Sequence, residues 1–243
     1  MEKKKIYKTE FHVHTRYSKD SILPFWLLIM MLKIKKINTI AITDHNEIAG
    51  AIKFKKKFLQ HGIELIVGEE IFTNKGEIIG LGLSKKIESN LSPSETIKQI
   101  REQNGLVYVP HPYDEKRYKT VLVEDEIKKN KNSIDFIEVH NGRNISVKFD
   151  DKQNQIAEKY NIQKIIGSDA HTFFEVGRNY IITKSKVTVD NAKDECCDAT
   201  FVGKKCINFA HKWTKVARIM TFICKGDFHG IIRIIKKKFT RGK

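Results

Sequence analysis

The feature that most constrains this chain is a recurrence: short β-rich runs end, and histidines and carboxylates stand at their ends. FHVH carries His12 and His14, TIAIT leads into Asp44 and His45, and ELIVGEE carries Glu69 and Glu70. LVYVP runs into His111, DFIEVH carries Glu138 and His140, and KIIGS leads into Asp169 and His171. EIIGLGL makes a seventh run. Stretches of helical pattern at 24–36, 47–60, 94–103 and 146–160 lie between them, the third opened by Ser92 or Ser94 as N-cap. Strand runs alternating with helical runs are the signature of βα units around a parallel sheet. An all-parallel set of this size predicts a closed or nearly closed α/β barrel, whose strand ends converge on one mouth.

Composition sets the limits of that reading. The 243 residues suffice for one sizeable domain and an appendage. The net charge of +16 is uneven: from Gly203 to Lys243 twelve Lys/Arg face one acid, Asp227, so +11 belongs to the tail and +5 to the rest. The longest apolar run, Ile22 to Leu32, contains Pro24 and falls short of the ~20 residues of a membrane span. No secretory signal is visible at the N-terminus, and Cys196, Cys197, Cys206 and Cys224 match no common disulfide framework. The expectation is a soluble, cytoplasmic protein.

Residues i and i+2 of a strand share a face, so His12/His14, Glu138/His140 and Asp169/His171 can each present two donors to a common space. Mixed imidazole and carboxylate donors suit Zn²⁺, Mn²⁺ or Fe. Nine or ten candidates exceed one ion's needs and point to two or three metals sharing carboxylates. Asp44 is read as orienting a ligand histidine, Glu69 as facing away, and His61 as a surface residue. The tail reads as one or two amphipathic helices packed on the barrel, with nucleic acid or an anionic membrane surface as alternatives. Cys206/His211 and Cys224/His229 share a spacing that does not suit a helical zinc site.

The ordered set HVHT…S-x-D, TDHN, GEEI, HP, EVHNGR and GSDAH resembles the PHP family, the polymerase and histidinol phosphatase superfamily. The resemblance covers about residues 7 to 184. It implies a distorted seven-stranded βα barrel, assigned here to 1–184, followed by a basic, helical C-terminal extension at 185–243. It also implies three divalent metal ions, Mn, Zn or Fe. His12, His14, Glu70 and Asp169 would hold the first and form the catalytic group; Glu70 would bridge to a second, held also by His111 and by Glu138 or His140, with Glu138 favoured. Asp20, His45 and His171 would hold the third. The implied activity is hydrolysis of phosphomonoesters, of a small phosphorylated metabolite or a nucleotide, by a metal-bridging hydroxide. Arg143 and Arg178 are the candidate phosphate-binding residues. The alternative is a nuclease or nucleic-acid-binding protein that uses the basic tail.

Overall fold

The computed structural model describes residues 6–204, 209, 212–216 and 219–220. Its elements run β1 (Tyr7–Val13), α1 (Phe25–Lys35), β2 (Thr39–Ile42), α2 (Ala49–Gln60), β3 (Glu64–Thr73), β4 (Gly76–Leu81), α3 (Pro93–Glu102), β5 (Leu106–Val109), α4 (Glu124–Asn130), β6 (Phe136–Asn141), α5 (Val147–Tyr160), β7 (Gln163–Gly167), β8 (Tyr180–Thr183), α6 (Ala192–Cys197) and β9 (Thr200–Val202). The helices start where the caps direct: Ser92 accepts the Glu95 N–H at 3.2 Å, and Ser146 accepts that of Lys148 at 3.3 Å. Phe25 of α1 stacks on Phe54 and meets Phe58 edge-on, tying α1 to α2 outside the sheet.

The sheet has nine strands in the order β7-β6-β5-β4-β3-β2-β1-β8-β9 and is mixed, which corrects the expected seven-stranded parallel set. β1, β2 and β3 are parallel, as are β5, β6 and β7. β4 is antiparallel to both neighbours, because Asn74 and Lys75 alone connect it to β3 and two residues can join only antiparallel strands. β8 runs antiparallel to the first half of β1, and β9 to β8. Thus α6 and β9, which follow position 184, are attached to the same sheet.

Beyond Thr9, β1 changes neighbours. His14 N–H donates to the Ala170 carbonyl at 2.8 Å and Ala170 N–H to that of His12 at 3.3 Å, which brings the segment after β7 against β1 and nearly closes the barrel. Phe11, Tyr108 and Phe136 are fully buried in the core, with the Phe11 and Phe136 rings 6.2 Å apart. Truncating one of them to alanine would cost about 3–5 kcal/mol through lost burial and the cavity left behind.

Of the expected C-terminal helices, residues 212–216 and 219–220 are helical. Cys206, His211, Cys224 and His229 lie outside the described residues. Among the described residues no helix is long and apolar enough to cross a membrane.

Candidate metal centre

Glu70, at the inner face of β3, is the hub. Its Oε2 lies 3.5 Å from His12 Nε2, 3.2 Å from His14 Nε2 and 3.0 Å from His45 Nδ1, while Oε1 lies 3.1 Å from His111 Nε2. Asp169 Oδ1 faces His14 Nε2 at 3.5 Å and His12 Nε2 at 3.8 Å. Asp20 stands between His171 Nε2, 3.4 Å away, and His45 Nε2, 3.7 Å away. Three overlapping triplets result, His12/His14/Glu70, His14/His45/His171 and His45/Glu70/Glu77, each with ligand atoms within 4.8 Å of one another. The loops after distant strands therefore meet at one point, as a barrel mouth requires.

Glu77 is the member that sequence reasoning missed. It lies on β4, whose strand character was legible but whose antiparallel hairpin with β3 was not. That hairpin puts Glu77 opposite Phe72, on the face Glu70 shares by the two-residue repeat, and leaves Glu77 Oε2 3.4 Å from His111 Nε2.

Glu138 and His140 part company. β6 carries a bulge between them, so their side chains no longer share a face. Glu138 points inward, where Oε1 accepts from His12 Nδ1 at 3.1 Å and from the Tyr108 hydroxyl. Its Oε2 accepts from the His111 N–H and Asn141 Nδ2, both at 2.7 Å. His140 turns outward to Asp150, 2.7 Å from Nδ1, and Asn179. Gly167 permits the inward placement: a Cβ there would meet Glu138 Oε1 at 2.0 Å and His12 Cβ at 2.7 Å.

The histidines are held from behind. His12 Nδ1–H donates to Glu138, His14 Nδ1–H to Ser18 Oγ at 3.2 Å, and His171 Nδ1–H to the Asp169 carbonyl at 2.8 Å, leaving Nε2 of each toward the centre. Asp44 accepts from the Ser18 hydroxyl and from Thr15, so it reaches His14 through Ser18. Such outer hydrogen bonds fix tautomer and ring orientation at metal sites. Asp169 and His111 have φ of 51° and 29°, a left-handed backbone that tertiary contacts must maintain. Glu69 faces away and accepts the Ile87 N–H, and His61 is exposed.

The charges agree with a cation-binding role. Burial disfavours ionised Glu70, but His45 and His12 hold its pKa well below the carboxylate range; His12 and Arg117 do the same for Asp169 against its burial. Burial disfavours charged His45, yet Glu70 and Asp20 lift its pKa to about 10. His171, buried and beside Arg143 and His14, falls to about 4. Burial and Glu70 together push Glu77 well above the usual range. Imidazolium protons thus supply positive charge that buried carboxylates require, the charge that divalent ions supply when they displace protons. Asp20 Oδ1, His45 Nδ1 and Glu70 Oε2 are buried and make no hydrogen bond, as expected of a donor set that fits metal ions.

A cavity of about 230 Å³ opens on this cluster and is lined also by Arg117, Arg143, Thr120 and Thr214. Arg117, not anticipated from sequence, donates Nη1–H to Asp169, Nε–H to Asp114 at 2.7 Å and Nη2–H to Asn141 at 3.1 Å. Arg143 is buried and bidentate on Glu175, at 2.9 and 3.1 Å. Arg178 is half-buried and is not part of the cavity lining.

Comparison with known proteins agrees with this architecture. The chain is 40% identical over 179 residues to an uncharacterized protein of Methanocaldococcus jannaschii, covering 72% of this chain and 69% of the relative. It is 29% identical over 119 residues to a 5'-3' exoribonuclease of Haemophilus influenzae, covering 44% of this chain and 43% of that one. A two-domain Bacteroides vulgatus protein containing a predicted PHP-like metal-dependent phosphoesterase superposes with a TM-score of 0.66 at 16% identity, over 82% of this chain and 65% of its own length. The PHP domain model matches residues 10–199, a span that begins just before His12 and ends beyond His171, and the chain belongs to the PHP domain family.

Proposed function

We propose that this chain is a metal-dependent phosphoesterase that hydrolyses small phosphomonoesters at a site for three divalent ions. The observation that carries the reading is the overlap of three ligand triplets through His14, His45 and Glu70 beneath one arginine-lined cavity. In this reading His12, His14, Glu70 and Asp169 would hold one ion, and Asp20, His45 and His171 another. Glu70, His111 and Glu77 would hold the third; Glu138, its oxygens occupied by four protein donors, orients His12. Bound divalent ions lower the pKa of water toward neutrality and neutralise phosphoryl oxygens. Arg117 anchors Asp169 and presents positive charge to the cavity, and Arg143 adds a second guanidinium to the wall. The imidazole and carboxylate mixture favours Mn, Zn or Fe over Mg or Ca.

The test is elemental analysis of gently purified protein, followed by assay of phosphomonoesters and diesters with Mn²⁺, including histidinol phosphate and nucleoside bisphosphates. Close to three transition-metal equivalents and monoester hydrolysis abolished by chelation are expected. Activity that persists in EDTA would end the reading.

The similarity to the Haemophilus influenzae exoribonuclease and the +11 tail favour a second reading, degradation of RNA from a 5' end. Single-stranded oligoribonucleotides in the same panel decide between the two. Deletion of residues 203–243 should then raise KM for oligonucleotide and not for a small ester.

A further inference from the structure

Helix α1 is apolar on all sides from Phe25 to Leu32. Phe25, Leu28, Ile29 and Leu32 pack into the core, as one face of a surface helix should. The opposite face should be polar, yet Trp26, Met30 and Ile34 stand on it 64%, 44% and 62% exposed. The three form one row at four-residue spacing, and Ile22, in the loop before the Pro24 cap, is also exposed. The helical residues 212–216 and 219–220 carry further exposed apolar side chains, Trp213, Val216 and Met220, and Phe209, also exposed, precedes them. The N-terminal end of α1 meets this second set: Ile22, Leu23, Leu27, Phe173, Phe174 and Trp213 line one apolar cavity, and the Phe209 ring lies 5.0 Å from that of Phe174.

The same two segments contain no acid. From Ser21 to Thr43 the chain has Lys33, Lys35 and Lys36 and no carboxylate; from Ala199 to Gly226 it has Lys204, Lys205, Lys212, Lys215, Arg218 and Lys225 and no carboxylate. Lys33, Lys35, Lys36, Lys204, Lys212 and Lys215 are all exposed. In the sequence, residues 221–243 carry seven Lys/Arg against one acid, Asp227.

We propose that the face formed by α1 with Phe209, Trp213, Val216 and Met220 docks on a lipid bilayer with anionic headgroups. The geometry matches that partner on both counts. Exposed tryptophan and aliphatic side chains enter the headgroup boundary, where Trp in particular is at home, and the lysines of the two acid-free segments meet negative headgroups. A nucleic acid would engage the lysines and leave the Trp26 row in water. Thr214, beside Trp213, lines the metal cavity, so docking places the membrane close to the mouth of the site.

The experiment is co-sedimentation of the full-length protein with vesicles of phosphatidylcholine, with or without phosphatidylglycerol. Binding to the phosphatidylglycerol vesicles alone, weakened by salt, is expected. The Trp26→Ser/Met30→Ser/Ile34→Ser variant should lower the partition coefficient by roughly tenfold or more, with metal content and thermal unfolding unchanged. The chain has two tryptophans. In Trp213→Phe, therefore, Trp26 emission alone should shift to the blue on anionic vesicles. No binding to those vesicles, or equal binding by the triple variant, overturns the proposal. It is equally overturned if Trp26 is already blue-shifted and shielded from quencher without lipid. A concentration-dependent shift would then identify a second copy as the occupant, and a concentration-independent one residues 221–243.

Discussion

Across the β3–β4 hairpin Glu77 lies opposite Phe72 and brings its carboxylate to 3.4 Å from His111 Nε2 and 3.7 Å from His45 Nδ1. In the proposed site Glu77 would be a ligand shared with Glu70. Glu77→Ala should therefore bind about one metal equivalent fewer per chain, measured by elemental analysis after equilibrium dialysis. A full complement in this variant would place Glu77 outside the coordination sphere.

Glu138 makes a contrasting case, since it touches His12 Nδ1 rather than the open side of the cluster. Glu138→Gln keeps the shape and removes the charge that orients the imidazole. Metal stoichiometry should stay the same while affinity falls about 10–100-fold. Calorimetric titration separates the two quantities, and a lost equivalent would make Glu138 a ligand.

Arg117 neutralises the oxygen of Asp169 that faces away from His12 and His14. Arg117→Ala should weaken metal binding about tenfold and raise KM for a phosphate ester, and Arg117→Lys should recover only part of the loss, because an ammonium cannot span Asp114, Asp169 and Asn141 together. Unaltered KM and affinity in both variants would sink this assignment.

His140 tests the bulge in β6. Burial disfavours its charged form, but the hydrogen bond and charge of Asp150 raise its pKa above the ordinary 6.5. A histidine whose folded pKa exceeds its unfolded one stabilises fully below the unfolded value and loses that contribution as pH rises through the folded value. The gap in Tm between the wild type and His140→Gln should accordingly be widest below about pH 6.5 and shrink toward alkaline pH, with metal content unchanged throughout. A gap constant with pH, or a lost metal, contradicts the outward placement.

Much of the site was legible because strand ends in a barrel converge whatever joins them. His12, His14, His45, Glu70, His111, Asp169 and His171 could be picked out from their places after β-rich runs, and Asp20 came with the family resemblance. The expected pairing of Glu138 with His140 failed because one extra residue in β6 reverses the alternation, and a bulge leaves no mark in a periodic pattern. Helix boundaries near Ser92 and Ser146 were readable since capping depends on neighbours along the chain.

The chain alone therefore determined the local elements and the inventory of donor atoms, both set by contacts a few residues apart. Tertiary structure decided the rest. The direction of β4 brought Glu77 to His111, and the packing of residues 112–122 brought Arg117 to Asp169, 52 positions away. The seam between β1 and Ala170 brought His14 beside Asp169. Each depends on which distant backbone supplies the next hydrogen bond, and that choice is made by the whole sheet rather than by any segment of it.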